Sequence, residues 1–456
     1  MRTLRIVTAL TACVLAKASV GAAEQPAAAS SLTAVQTLTA ADFPPAEPGK
    51  KAFVPQPGGQ WSCAIVAHGP WVYAVQSTSY ILRFKRDTAT ARLQYLGAVA
   101  FGTLGKEAMQ VRSFCVRRLA GGGAMLYLSL LSHAGVISHW YSVDAASGGL
   151  TRKSPDGAHV LIGYELLPDQ KHYYVYTGDN SFGWFEFAPD GAPVEKGRVA
   201  CPVAAHYDEY LVASQDGRSV YRFANANMNI ETYKCDPVTG AAAYDTSVAL
   251  KAILTADGSN GASGLVALPP DGRHVYVFPN TGNNRGTRYC VLARDVTTGR
   301  LTAPSKCSLA APQFAGMAGL GWGSREYRFA YDADGKSGYF ISLKEKGWAA
   351  ADFGQFNRDS ASGALTLAAS RPAWEVGADR LFYDPACGNL YTIGSRICAF
   401  KTSAAPFAAP AWDRPSRFSL STSIAGRSSV PRPEPGSSGG PGVLTCSQLP
   451  HHRRSD

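Results

Sequence analysis

Side chains able to do acid–base or electrostatic chemistry fall into a few short polar stretches: His133, Asp179-Asn180, Gln215-Asp216, Asn280 to Arg285, Lys344-Glu345-Lys346 and Arg396. Glu345, Asp179 or His133 could take a proton from water as a general base, while Arg285 or Lys344 could polarise a carbonyl or hold a carboxylate. Glu345, His133 and Arg285 are therefore the candidate catalytic residues. Asp179, Asn180, Asp216, Asn284, Lys344 and Arg396 are the candidate ligand-binding residues. Each has a structural reading too. Asn284 sits in a Pro-Asn-Thr-Gly-Asn-Asn-Arg-Gly stretch with the composition of a long turn, and a Lys-Glu-Lys triplet is the usual make-up of a solvated loop.

These stretches share a context. Seven β-rich runs are centred on aromatic or aliphatic pairs: Trp71–Val75, Met125–Ser129, Tyr173–Tyr176, Tyr210–Ala213, His274–Phe278, Gly338–Ser342 and Asn389–Ile393. The chemically capable residues follow them. Several runs come after a tight turn, as at Asp271-Gly272-Arg273 and Asp334-Gly335-Lys336, which is how a hairpin enters its second strand.

A second pattern alternates with the first, Asp-x-x-Ser/Thr-Gly/Ala, beginning at Asp87, Asp144, Asp236, Asp295 and Asp359, with Asp190-Gly191 as a degenerate copy. The aspartate can accept from backbone N–H groups of the turn and glycine supplies the positive φ that closes it, so this motif is structural. Its copies between Asp87 and Asp359 lie about 54 residues apart on average, slightly longer than a four-stranded propeller blade of about 40–50. The reading is an all-β, seven-bladed β-propeller of four-stranded antiparallel blades spanning 43–401. Its last blade lacks an outer strand, and a segment from about Phe43 to Phe53 is expected to supply it and remove the free sheet edges. Ligands would sit at the channel mouth, where the loops converge.

The ends of the chain read differently. Met1 to Arg5 is basic, Ile6 to Ala16 is apolar, and small residues lead to Ala23, the pattern of a secretory signal peptide over 1–23. Its apolar run is too short to span a bilayer. Leu10-Thr11-Ala12-Cys13 has the form of a lipid-attachment box, but cutting there would leave an unusually short export signal. Residues 24–42 read as a linker, and 402–456, rich in Pro, Ser, Gly and Arg, as a disordered tail. Part of the net charge of +10 falls in those ends, so the body is only mildly basic and shows no basic run for nucleic acid. Periplasmic or secreted localisation and a monomer are expected.

The cysteines fit an oxidising compartment, with four bridges suggested by their places in the repeats: Cys290–Cys307, Cys387–Cys398, Cys201–Cys235 and Cys63–Cys115. No Cys/His spacing suits zinc and no compact oxygen-ligand spacing suits calcium, so neither a metal nor a cofactor is expected.

Pro270-Asp271-Gly272-Arg273-His274-Val275-Tyr276-Val277, followed by Asp295-Val296-Thr297-Thr298-Gly299-Arg300-Leu301-Thr302, resembles the repeat of seven-bladed lactonase-like propellers. That group includes bacterial 6-phosphogluconolactonases and many exported propeller-repeat proteins. The resemblance covers roughly 55–401 and implies hydrolysis of a small lactone or sugar-acid derivative. The family's histidine upstream of the Pro-Asp-Gly strand is missing from Ser263 to Pro269, and Tyr176 to Asn180 only loosely echoes its acidic segment. A non-catalytic propeller binding a protein, glycan or cell-wall partner is the alternative.

Overall fold

The computed structural model describes residues 34–402 except 50, 54–62, 77–78, 102–109, 120–122, 133–134, 156–164, 167–170, 177–179, 203–210, 225–226, 255–262, 281–287, 305–307, 310–328, 333, 344–349 and 385–386. They fold into seven antiparallel sheets, each a meander of four strands, with one short extra strand, Ser308–Leu309, on the fifth. First strands of successive blades neighbour one another, so they surround the axis and the remaining strands step outward. We call the strands a to d from the axis, and number the blades from Cys63. The chain is a seven-bladed β-propeller.

Strand b explains why the β-rich runs are apolar throughout rather than alternating. It lies inside a sheet that packs on both faces, so its side chains meet a neighbouring blade on either side. All six residues of Trp71–Gln76 and of Ser219–Ala224 are buried. Six of the seven runs are strand b. The fourth is not: Leu211–Ala213 is strand a, and Ser219–Ala224 is strand b of that blade.

The outer strand of blade 7 is Ala34–Leu38, paired antiparallel with Ile397–Lys401. It comes earlier than the segment expected for that place and inside the stretch read as linker. Val35 and Leu38 pack on the apolar cluster between blades 7 and 1, so this small-residue segment earns its order from the edge it covers. Phe43, Ala52 and Phe53 are buried in the same cluster without forming a strand, and the Phe43 ring meets Phe84 and Tyr95 edge-on.

Neighbouring blades are fastened by a repeated contact. The strand b tyrosine hydroxyl donates to the carbonyl of the turn glycine in the next blade: Tyr73 to Gly148, Tyr127 to Gly191, Tyr174 to Gly240, Tyr221 to Gly299 and Tyr276 to Gly363, at 2.6–3.1 Å. Asn389 of blade 7 donates to the carbonyl of Thr88 in the turn of blade 1, which closes the ring. In three interfaces an arginine immediately before the turn aspartate reinforces the latch. Arg358 donates to Tyr276 Oη at 2.8 Å and pairs with Asp271 at 2.8 Å; Arg294 does the same with Tyr221 and Asp216, and Arg86 pairs with Asp384. The turns close as their sequence requires. Asp359 Oδ1 accepts from Ala361 N, Ser362 N and Ser362 Oγ, and Gly363 takes φ +74°, where a Cβ would lie 2.5 Å from Val291 Cγ1.

Three of the four expected disulfides are absent, because the paired cysteines face apart. Cys63 points toward blade 7, its thiol against the Ile393 carbonyl, whereas Cys115 packs on the cluster between blades 2 and 3. Cys235 ends strand c of blade 4 beside the Asp236 turn, whereas Cys201 follows strand d of blade 3 at the opposite end, where its N–H donates to Asn180 O. Cys387 lies in the turn between strands a and b of blade 7 and Cys398 near the start of strand c, at the opposite end of the blade and beside Thr37. None of the six is in a disulfide. Buried Cys290 is not among them, and Cys307 lies outside the described residues.

Two predictions test the latch. Tyr276→Phe should lose about 1–2 kcal/mol of stability and Asp271→Ala about 2–3 kcal/mol, the latter leaving a buried guanidinium short of its partner. Urea melts measure both; losses below 0.5 kcal/mol would refute the latch as a source of stability. His274 Nδ1 accepts from Arg358 Nη2 at 2.8 Å, and burial with the nearby Arg358 charge holds the imidazole below its usual 6.5. A depressed value means the neutral form is favoured on folding, so stability is full above about pH 6.5 and falls as the pH drops below it. The melting temperature should therefore fall more steeply from pH 7 to 5 in the wild type than in His274→Gln, and equal slopes would contradict the assignment.

Candidate functional site at the channel mouth

An antiparallel meander sends its connections alternately to two ends of each blade. Turns a–b and c–d fall at one end, and the b–c loops with the crossings between blades fall at the other. The first end holds the latches. Asp216 belongs to it: its carboxylate accepts from Ser214 Oγ, Arg218 N and Arg294 Nη2 and is held below the usual carboxylate range by these groups against the cost of burial. Asp216 is a fastening residue at the end away from the b–c loops. Its assignment as a ligand contact came from taking Tyr210–Ala213 for strand b.

At the second end stand two sequence-predicted residues, Asn180 and Arg396. Asn180 closes the b–c loop of blade 3, exposed and in the left-handed region at φ +57°, a conformation asparagine tolerates better than most residues. Arg396 closes the b–c turn of blade 7. Glu345, His133, Arg285, Asp179, Asn284 and Lys344 lie outside the described residues.

Around Arg396 the structure gathers groups that sequence reading passed over. The crossing from blade 6 to blade 7 makes a 3₁₀ turn, Ala373–Val376, capped by Gly377 at φ +56°. It is followed by Asp379 and then Arg380, the first residue of strand a in blade 7, both buried. Gly394, in the adjacent b–c turn, leaves no room for a side chain: a Cβ there would lie 2.3 Å from Gly377 O and 2.8 Å from Asp379 Oδ2. Gln76, the last residue of strand b in blade 1, donates to Gly394 O at 2.6 Å and ties that turn across the blade interface. Arg396 folds its stem over Gly377, where a Cβ would meet Arg396 Cγ at 2.3 Å. Its guanidinium has no acidic partner among the described residues.

A second acid lies at the mouth end of blade 6. Asp352 lies near the start of strand c, its backbone N–H donating to Ser342 Oγ at 3.1 Å. Burial pushes its carboxyl above the usual range, partly opposed by the Ser342 hydroxyl. The mouth end thus carries Asp379, Arg380, Arg396 and Gln76 around neighbouring turns of blades 7 and 1, with Asp352 on blade 6. Such a set can orient a polar ligand and stabilise developing negative charge. Gly377 and Gly394 are the sequence signal that could have found it: close packing at two neighbouring loops. Among the described residues no cluster has three metal-ligating side chains, and no helix is long and apolar enough to cross a membrane.

By fold the chain is a seven-bladed propeller similar to solved structures named as lactonases. A Bacteroides uniformis protein assigned as a 6-phosphogluconolactonase is similar over 72% of this chain and 89% of its own, with a TM-score of 0.50 and 15% identity. The periplasmic gluconolactonase PpgL of Pseudomonas aeruginosa is similar over 75% of this chain and 88% of its own, with a TM-score of 0.50 and 16% identity. No family model matches the chain, and no curated protein matches it in sequence.

The Asp352 environment has a measurable consequence. A carboxyl raised above its ordinary 3.8 is favoured in its neutral form on folding, so its contribution is present below that pH and is lost as the pH rises. Asp352→Asn should therefore gain melting temperature over the wild type at pH 7 and show little gain at pH 3.5. A gain that does not grow with pH would contradict a buried, raised carboxyl.

Proposed function

We propose that the chain is an exported lactonase-like hydrolase that opens a small lactone or sugar-acid derivative at the channel mouth. The observation that carries this reading is the division between the two ends. Charged residues at the turn end are consumed in inter-blade latches, while at the mouth end Asp379, Arg380 and Arg396 stand at the neighbouring crossing and b–c turn of blade 7. The named activity of the two structural relatives, gluconolactonase, supplies the reaction class by analogy of fold.

In this reading a carboxylate or imidazole from Glu345 or His133 takes a proton from water, whose oxygen attacks the lactone carbonyl carbon. Arg285, with Arg396 and Lys344, faces the oxyanion of the tetrahedral intermediate. Collapse breaks the ring C–O bond, the ring oxygen takes up the proton, and the hydroxy acid leaves. Asp179, Asn180 and Asn284 bind ligand hydroxyls. The 1–23 leader places the protein in the periplasm or outside the cell, and a Cys290–Cys307 bridge accords with that compartment. The folded unit acts as a monomer, with no cofactor.

Hydrolysis of a lactone panel headed by glucono-1,5-lactone tests the proposal. The wild type should exceed the spontaneous rate, Glu345→Ala should lower kcat by about 100-fold or more, and Arg285→Ala should lower kcat/KM. A wild type that hydrolyses no lactone overturns the enzymatic reading and leaves a propeller that binds a protein, glycan or cell-wall partner.

A further inference from the structure

Trp374 is 62% exposed, although tryptophan is the residue with most to gain from burial. It is held in that position by rigid surroundings. Its neighbours Ala373 and Val376 are buried, Gly377 N donates to Trp374 O, and Thr392 Oγ1 donates to Val376 O at 3.2 Å. The indole therefore stands on the mouth rim by construction of the 3₁₀ turn.

Three residues on, Gly377 carries the stem of Arg396. Trp374 and the residue that carries the arginine stem therefore belong to one short capped turn. Gln76 fixes the turn bearing Arg396 from the far side through Gly394. An exposed aromatic face and a guanidinium with no acidic partner among the described residues are thus carried on one fixed turn region.

We propose that Trp374 and Arg396 form a subsite for an aldonic acid or its lactone. The indole packs against the C–H face of the sugar skeleton and the guanidinium holds the carboxylate or polarises the carbonyl oxygen. Both contacts suit a ligand that is apolar on one face, hydroxylated at its edge and anionic at one end. This inference rests on the proposed reading for its choice of ligand.

Titration of the full chain with sodium gluconate, followed by calorimetry and by tryptophan emission, tests it. The wild type should bind saturably with a change in emission. Trp374→Ala should weaken binding about tenfold and abolish that change, and Trp374→Phe should stay within about threefold of wild type. Arg396→Gln should weaken gluconate binding while leaving binding of neutral glucose within about twofold. In turnover of glucono-1,5-lactone, Trp374→Ala should raise KM at unchanged kcat, the signature of a uniform binding contact. Wild-type affinity in Trp374→Ala, or lactone hydrolysis by a wild type that does not bind gluconate, overturns the subsite and leaves the hydrolase reading standing. Gluconate binding that depends on Trp374 in a protein that hydrolyses no lactone overturns the reaction and upholds the subsite.

Discussion

A tyrosine hydroxyl buried between two blades must find an acceptor, and in five of the interfaces it finds the carbonyl of a turn glycine in the next blade. That constraint organises much of the molecule. It fixes the height at which each blade meets its neighbour, because the tyrosine sits in strand b and the glycine at a turn tip. It requires glycine or a residue willing to take positive φ at that tip; Ala91 of blade 1 does so at +62°. Where an arginine precedes the turn, its guanidinium shares the tyrosine oxygen and reaches an aspartate of the preceding blade, so a polar hydrogen bond becomes a charge-assisted network in a site mostly closed to water.

Much of this was legible from the residues, because the latch uses the two features that recur most openly: an aromatic within a β-rich run and an Asp-x-x-Ser/Thr-Gly turn. The turn chemistry is local and needs no tertiary knowledge. The arginine was less visible. Arg86, Arg294 and Arg358 each stand directly before the turn aspartate, but blade 4 has Cys235 in that place and blade 2 has Val143, so the pattern is broken where it would have drawn notice. The closing strand was misplaced for a different reason. Ala34–Leu38 has little hydrophobic signal of its own, and what orders it is the unpaired edge of Ile397–Lys401, a partner more than 350 residues distant in sequence. Phe43 and Phe53 carried the stronger signal and used it to plug the cluster beside that edge.

Three of the disulfide pairings failed on direction. Closeness in a repeat register brings two cysteines to similar heights or to one blade, but bridging also requires the Cβ vectors to converge within a few ångströms. In a stack of sheets, residues one apart on a strand face different neighbours, and a strand of seven residues spans roughly 20 Å. Cys235 illustrates the outcome. Occupying the position that arginine takes in other blades, it meets Tyr174 and is pushed upward in pKa by burial, to about 12, an inert thiol in a fastening site.

The candidate site was legible in its location more than its membership. Sequence reasoning could say that loops following strand b converge, and Asn180 and Arg396 do lie at that end. It could not see Asp379 and Gln76, because nothing in their own neighbourhoods marks them as polar groups buried at a crossing between blades. Those residues become neighbours only after the ring closes and brings blade 7 against blade 1. The same closure that buries the tyrosine latches at one end gathers a different set of polar groups at the other. A propeller built this way can change the chemistry of its mouth without touching the turns that hold it together. Relatives at 15–16% identity can accordingly keep the architecture while sharing few residues.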